Sequence, residues 1–330
     1  MSSFRVRILS GFSDSRLSPE RWQALLAKGN TDVVFLTWHW LRTWSEVYFG
    51  KGERLLVAAE RGSEIFAIAP LISIEGNIMF LGSGESDYLD FIGDPEEPAV
   101  VAAMLEAARE RVPDFCGFEL ALVPEHSPTK RLLAVASDQC GLEIWLRQEM
   151  PAVEVELIEQ AEEVQSAISH SMFRREEYYR RRGPLVVSQL SDSSAIQPWL
   201  PVFYAQHIAR WEKKGQASPF VDPERRAFLE RFLEIAADTG WIRFLVIQSA
   251  GRPIACEFAW YYRGTHYSGP WCFAVEESNH SPGHVLLRQS VQAALAAGLR
   301  NYDLGIGDQP YKFRLPAKTK NCQTWGLYPP

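Results

Sequence analysis

Little in this sequence points to disulfide, metal or membrane chemistry. Its five cysteines, Cys116, Cys140, Cys256, Cys272 and Cys322, are odd in number and widely scattered. No CxxC pair and no Cys/His ligand spacing occurs, so neither a disulfide framework nor a zinc site is indicated, and no metal is expected. Long apolar runs are missing as well. A stretch such as FAIAPLISI falls far short of the ~20 residues that a bilayer span needs, so no membrane insertion is expected. The opening MSSFRVRILSGFSDSRLS carries no apolar segment of signal-peptide length, which makes the cytoplasm the expected compartment. Excess positive charge is also absent. A formal charge of -7 argues against a general affinity for nucleic acid or anionic membranes, while leaving room for a local basic patch.

What is present is the balance of a folded protein: 330 residues, 46% hydrophobic and 23% charged. That length favours two domains. Two segments align without a gap at a spacing of 189 residues, RLLVAAERGSEIFAIAPL (54–71) over RFLVIQSAGRPIACEFAW (243–260). Each reads as strand, glycine turn (Gly62, Gly251) and strand, a β-hairpin. A helix precedes each hairpin, TWHWLRTWSEVYF in one half and PERRAFLERFLEIAADTG in the other. A strand, a helix and a further strand follow each. In the first half these are NIMFLG, PAVVAAMLEAARERV and FCGFELALV. In the second they are THYSGPWCFAV, SPGHVLLRQSVQAALAAG and RNYDLGIG. The shared order predicts an α/β (α+β) protein of two tandem domains, 1–155 and 156–330, each a mixed sheet flanked by helices.

The second half carries the chemistry. Ser281, Pro282 and Gly298 mark the start and stop of one helix, with Ser281 as N-cap. A ligand can approach the N–H groups of Gly283, His284 and Val285, where the helix dipole favours an anion. A well-made helix start accounts equally for the same residues. Before it, Ser268-Gly269-Pro270 sits inside a strand and predicts a bulge or edge. The corresponding helix start in the first half is GDPEEP, whose Asp94, Glu96 and Glu97 would repel phosphate, so that half has no phosphate loop.

Alternation puts Ile254, Cys256, Phe258 and Trp260 on one face and Glu257 on the other, between Ala255 and Ala259. In NYDLGIG, Tyr302, Leu304 and Ile306 share a face and Asp303 lies opposite. Either acid can serve as a general base or be a carboxylate satisfied by an Arg or a backbone N–H. The second reading is preferred for Glu257.

The order YAQHIARW…GQASPFVDPERRAF, SPGHVLL, YDLGIGDQPYKFR resembles the bacterial acetyltransferase-like group named for cellulose biosynthesis, the CelD/BcsL type. That group lies in the GNAT superfamily and is similar to FemAB-like transferases. The resemblance implies GNAT-like domains and acyl transfer from acetyl-CoA or another acyl-CoA to an amine or hydroxyl, in exopolysaccharide or cell-envelope biosynthesis. It implies a donor site at Ser281, Gly283, His284 and Val285. The usual superfamily loop, Gln/Arg-x-x-Gly-x-Gly/Ala, is absent, which leaves acyl carrier protein or aminoacyl-tRNA as other donors.

One helical turn separates His207 from Arg210 and Trp211, so the three share a helix face, and the same resemblance implies that His207 and Arg210 line the acyl or acceptor site. The bland alternative is a packed helix with Arg210 in an ion pair. Lys312 and Arg314 would hold an anionic part of a substrate, or be solvated charges. Catalytic roles fall to Asp303 and His207. The expected partner is a small-molecule or glycan-precursor acceptor, with acyl carrier protein as a further candidate. Nucleic acid is not expected, except tRNA under a FemAB-like alternative. A non-catalytic accessory role in a polysaccharide synthase is the third reading. FRREEYYRRRG (173–183), with five Arg against two Glu, reads first as a solvated helix with internal pairs and second as a basic patch. GSGES (82–86) reads as a turn.

Overall fold

The computed structural model describes residues 3–169 and 171–330. They form two units, one from the described residues up to Pro151 together with Lys320–Pro330, the other from Ala152–Thr319. Among the described residues no helix is long and apolar enough to cross a membrane.

The first unit begins with β1 (Arg5–Leu9), α1 (Pro19–Leu26), α2 (Trp38–Val47), β2 (Glu53–Arg61), β3 (Glu64–Ile74) and β4 (Asn77–Phe80). It continues with β5 (Ile92–Gly93), α3 (Pro98–Arg109), β6 (Gly117–Pro124) and α4 (Thr129–Gln139). Strand β7 (Glu143–Glu156) leads into the second unit. There follow α5 (Ala161–Ser169), α6 (Ser171–Arg180), β8 (Leu185–Leu190), α7 (Ser193–Ile196), α8 (Leu200–Glu212) and α9 (Pro223–Ile235). The chemistry-bearing part is β9 (Ile242–Ser249), β10 (Arg252–Tyr262), β11 (Thr265–Phe273), α10 (Pro282–Ala296) and β12 (Asn301–Ile306). The last strand is β13 (Lys318–Tyr328).

Both aligned segments are antiparallel hairpins, β2–β3 and β9–β10, turning at Gly62 (φ 62°) and Gly251 (φ 77°). Those angles lie in the left-handed region, which explains the glycines. Each hairpin is extended by one more antiparallel strand, β4 or β11. That strand then pairs in parallel with the strand following the next helix: β4 with β6, β11 with β12. The two halves thus repeat one topology. The first sheet runs β1-β2-β3-β4-β6-β13, and the second runs from the Ala152–Glu156 part of β7 through β12-β11-β10-β9 to β8. Residues 320–330, which the sequence reading put in the second domain, belong to the first unit because β13 continues its sheet beside β6.

Helices cover both faces of the second sheet. Phe203 of α8 meets Phe244 and Phe258, and Phe232 of α9 meets Trp260 edge-on at 5.2 Å. On the other face α10 sends Val285 and Leu286 onto Leu245, Ile247 and Ala255, and Leu287, Val291 and Ala294 onto Tyr302 and Leu304. The predicted alternation in β10 holds from Ala255 onward. Ile254 departs from it: the register shifts between Pro253 and Ala255, which moves Ile254 into the α10 cluster.

Candidate functional site

The second sheet opens where β11 and β12 part. Their parallel pairing covers only Thr265–Tyr267 against Asn301–Asp303. Beyond it β11 stays bonded to β10 as far as Phe273, while β12 shifts register between Asp303 and Ile306. Gly305 sits in that shift at φ 73°, a conformation that glycine adopts without strain. The predicted irregularity at Ser268-Gly269-Pro270 is a bulge: Glu257 pairs with Trp271 and Ala259 with Ser268, leaving two residues opposite Phe258. A cleft of about 730 Å³, counting its open mouth, lies against this gap. Trp271 and Phe273 from β11, Leu286 and Leu287 from α10, and Tyr302 and Leu304 from β12 form its apolar walls.

The mouth is the start of α10. Ser281 occupies the N-cap position but at φ 55°, ψ 54°, and no side chain caps the helix. The predicted cap is therefore corrected: in this left-handed conformation the Ser281 hydroxyl accepts a hydrogen bond from Arg175 Nη1 instead. Pro282 has no N–H, and Gly283 brings no side chain. A Cβ at Gly283 would meet the Trp271 ring at 3.2 Å, so glycine lets the helix start lie against the cleft wall. Ser281, Gly283 and His284 all line the cleft, whereas Val285 points into the core and does not. Burial, then the charges of Arg314 and Arg175, push the His284 imidazole down to about 4, so it is neutral at pH 7.

Beside the mouth lies a shallower depression lined by Arg174, Arg175, Tyr178, Asn279 and His280, with the Tyr178 and His280 rings stacked at 3.9 Å. The arginine-rich stretch is thus divided. Arg180 pairs with buried Glu176 and Arg182 with Glu277, while Arg174 and Arg175 face the depression.

Behind the walls is a buried acid. Glu257 is 5% exposed, lines the cleft, and its Oε2 has no hydrogen-bond partner. Its Oε1 is 3.9 Å from His266 Nε2, beyond hydrogen-bond reach. Neither His266 ring nitrogen has a partner, and the ring stacks on Tyr302 at 4.0 Å. Ser268, also in the cleft, sits beside the Tyr302 hydroxyl. Tyr302 itself donates to Ser290 Oγ at 2.8 Å.

Several residues expected at the site lie elsewhere. Asp303 alternates with Tyr302 and Leu304 and so faces away from α10; its Oδ1 accepts from the Gly305 N–H at 2.6 Å. Lys312, 2% exposed, donates to the carbonyls of Gly305 and Ile306 at 2.9 and 2.8 Å. These two residues clasp the irregular end of β12. His207 is buried, bonded through Nδ1 to Ser218 Oγ at 2.8 Å and packed edge-on by Phe220. Burial and the Arg210 charge push it down to about 3, and it does not line the cleft. Arg210 does not line the cleft either. It donates to the Trp271 carbonyl at 2.8 Å, its guanidinium 3.8 Å from the Trp271 ring centre, and so fixes the wall from behind. Arg314 acts on the mouth through its charge on His284. Trp271 and His266 carried no motif; Tyr302 and Tyr311 lie in the YDLGIGDQPYKFR stretch without having been assigned a role, and Ser268 was marked only by the bulge at Ser268-Gly269-Pro270.

Residues 166–313 match the family model of the acetyltransferase (GNAT) domain. No curated protein matches the sequence. Among solved structures, FemX shares the fold with a TM-score of 0.67 at 11% identity, over 94% of this chain and 96% of its own. L-PGS from Bacillus licheniformis gives 0.60 at 12% identity, covering 95% and 92%. A tandem GNAT protein from the clavulanic acid biosynthesis pathway gives 0.53 at 11%, covering 98% of both. Identities this low speak for the fold alone. Residues 166–313 are thus similar to a GNAT-type acetyltransferase domain, and the whole chain shares its fold with a tandem GNAT protein.

Proposed function

We propose that the protein transfers an acyl group from a thioester, acyl-CoA or acyl carrier protein, to an amine or hydroxyl acceptor. One observation carries this reading: an apolar cleft opens between two parting parallel strands and ends at an uncapped helix start whose Ser281 hydroxyl is held by Arg175, with the Arg314 charge felt at His284. The N–H groups at Gly283 and His284, with those arginines, suit the anionic end of a phosphate-bearing donor. Trp271, Phe273 and Leu304 then bury the arm that carries the thioester and keep water from it. Binding both reactants in one cleft converts a bimolecular reaction into a local one. Arg210 serves as a positioning residue through Trp271. An acceptor from exopolysaccharide or cell-envelope synthesis remains part of this proposal.

A second reading takes aminoacyl-tRNA as donor. It is favoured by the depression at Arg174, Arg175 and His280 beside the cleft mouth, and by the likeness in fold to FemX. A salt-sensitive tRNA complex lost in Arg174→Glu would support it.

The test is thermal denaturation with coenzyme A, acetyl-CoA and a long-chain acyl-CoA. At a hundredfold excess over Kd, binding stabilises by about 2.7 kcal/mol. Stabilisation of the wild type that Arg175→Glu weakens is the expected result. No stabilisation by any of the three would remove free coenzyme A thioesters as donors.

A further inference from the structure

Each sheet ends in an edge strand, β1 in the first unit and β8 in the second. An edge strand presents unpaired backbone N–H and C=O groups that a further strand can join, and charges along it keep such strands away. The β1 edge is guarded in this way: RVRIL carries Arg5 and Arg7, both exposed. The β8 edge is not. From Gly183 to Ser191 the sequence GPLVVSQLS contains no charge, and Val186 and Val187 are 48% and 37% exposed. Among the described residues β8 pairs with β9 alone, Leu185 lying opposite Ser249 and Leu190 opposite Phe244. A six-residue uncharged edge with adjacent valines is a template for strand pairing.

Register and flanking charge choose what pairs there. In an antiparallel pair related by a two-fold axis normal to the sheet, opposed residues share a face, so one residue must lie opposite itself. Centred on Ser188, the register sets Ser188 against Ser188, Val186 against Leu190 and Val187 against Gln189. One face then carries two Val–Leu pairs about a Ser–Ser pair, contacts that stabilise a ladder. Arg181 precedes β8 and Asp192 follows it, both exposed. Antiparallel pairing brings the basic end of one protomer to the acidic end of its partner, twice over. Parallel pairing would set like charges together. Joining β8 to the β1 edge of another copy would line the ladder with Arg5 and Arg7, which disfavours open-ended chains of molecules.

We propose that the protein self-associates through β8, two protomers joining their second sheets antiparallel about a two-fold axis at Ser188. The inference is independent of the acyl-transfer reading. Strands β9 and β10 separate β8 from β11, so the cleft stays open in both protomers. A ladder of six residues on each side buries less than the roughly 1,000 Å² of a lasting interface, so monomer and dimer exchange and the dimer fills only at high concentration. Each chain has one such edge, and the two-fold pair uses up both, which closes the assembly at two.

The experiment is sedimentation equilibrium of the full chain from about 1 to 500 μM, with amide exchange measured at both ends of that range. The mean mass is expected to rise from 37.5 kDa toward twice that value. Exchange at residues 185–190 is expected to slow with concentration, while residues 5–9 stay unchanged. Val186→Lys sets a charge against Leu190 in both pairs and is expected to weaken association roughly tenfold or more. Arg181→Glu is expected to weaken it a few fold at low salt, a difference that high salt removes. Thermal unfolding of the dilute variants, matching the wild type, shows that the fold is intact. A monomer at the highest concentration would overturn the proposal and leave the edge to a foreign strand. So would a dimer that Val186→Lys leaves intact, or one whose residues 185–190 exchange as fast as in the monomer.

Discussion

The chain builds one design twice and opens it once. In the first unit the parallel pair β4–β6 also parts early, after Met79 and Glu119. There the chain fills its own gap. Residues 81–91 loop across it, the Leu89 N–H bonds to the Leu122 carbonyl at 3.1 Å, and β5 pairs with β3. Leu81, Leu89 and Phe91 are buried in the filling. In the second unit β11 runs straight on beside β10, and the equivalent space stays a cleft. The polar groups follow suit. Among the buried acids, Asp90 of the first unit has both oxygens hydrogen-bonded, whereas Glu257 Oε2 of the second has no hydrogen-bond partner.

Six substitutions, in four tests, sharpen or break this contrast. Gly283→Glu puts an acid at the start of α10 and is expected to abolish the stabilisation by acyl-CoA, about 2.7 kcal/mol at hundredfold excess. Ala99→Glu, at the same place in α3, leaves it untouched. Thermal shifts on both variants decide whether the donor belongs to one half alone.

Next, Asp90→Ala deprives two buried threonines and the Phe91 N–H of their acceptor, and is expected to cost roughly 2–3 kcal/mol. Glu257→Gln, at an acid whose Oε2 has no hydrogen-bond partner, is expected to stabilise by about 1 kcal/mol. Denaturant titrations showing equal losses would end the contrast between the two acids.

Arg210→Lys keeps a cation but loses the flat stack on Trp271, so KM for the donor is expected to rise by roughly tenfold, with the fold retained by circular dichroism. The smallest effect concerns His207. Its folded pKa of about 3 lies below the ordinary 6.5, so the unfolded chain binds the proton more readily. The stability is complete above pH 6.5 and drains away as pH falls toward 3, by about 1 kcal/mol between pH 7 and 5.5. His207→Gln should flatten that limb in acid titrations of unfolding; an unchanged limb would place the titration elsewhere.

Much of the fold was legible because it rests on local signals. Gly62 and Gly251 mark the hairpins, Pro282 and Gly298 bound α10, and Pro270 marks the bulge. Alternation also placed Glu257 and Asp303 correctly relative to their strand neighbours. It could not say which acid faces the cleft, because that depends on which face of the sheet α10 covers, a non-local fact. So Asp303, next to glycines that suggested room, clasps the Gly305 turn, while Glu257 meets the cavity. His207 and Arg210 were recognisable as a helix face but not as a support behind Trp271. Lys312 read as a free cation only because its partners are backbone carbonyls, which no side-chain pattern reveals. The arginines of 174–182 divide between ion pairs and an open depression according to helix phase against α10 and its approach.

Amide hydrogen exchange of the full chain with and without acetyl-CoA tests the central claim most directly. Slowed exchange confined to residues 268–273 and 281–287, with residues 77–93 unchanged, is the predicted result. Slowing at residues 77–93, or at neither place under saturating ligand, would contradict a single donor cleft in the second unit.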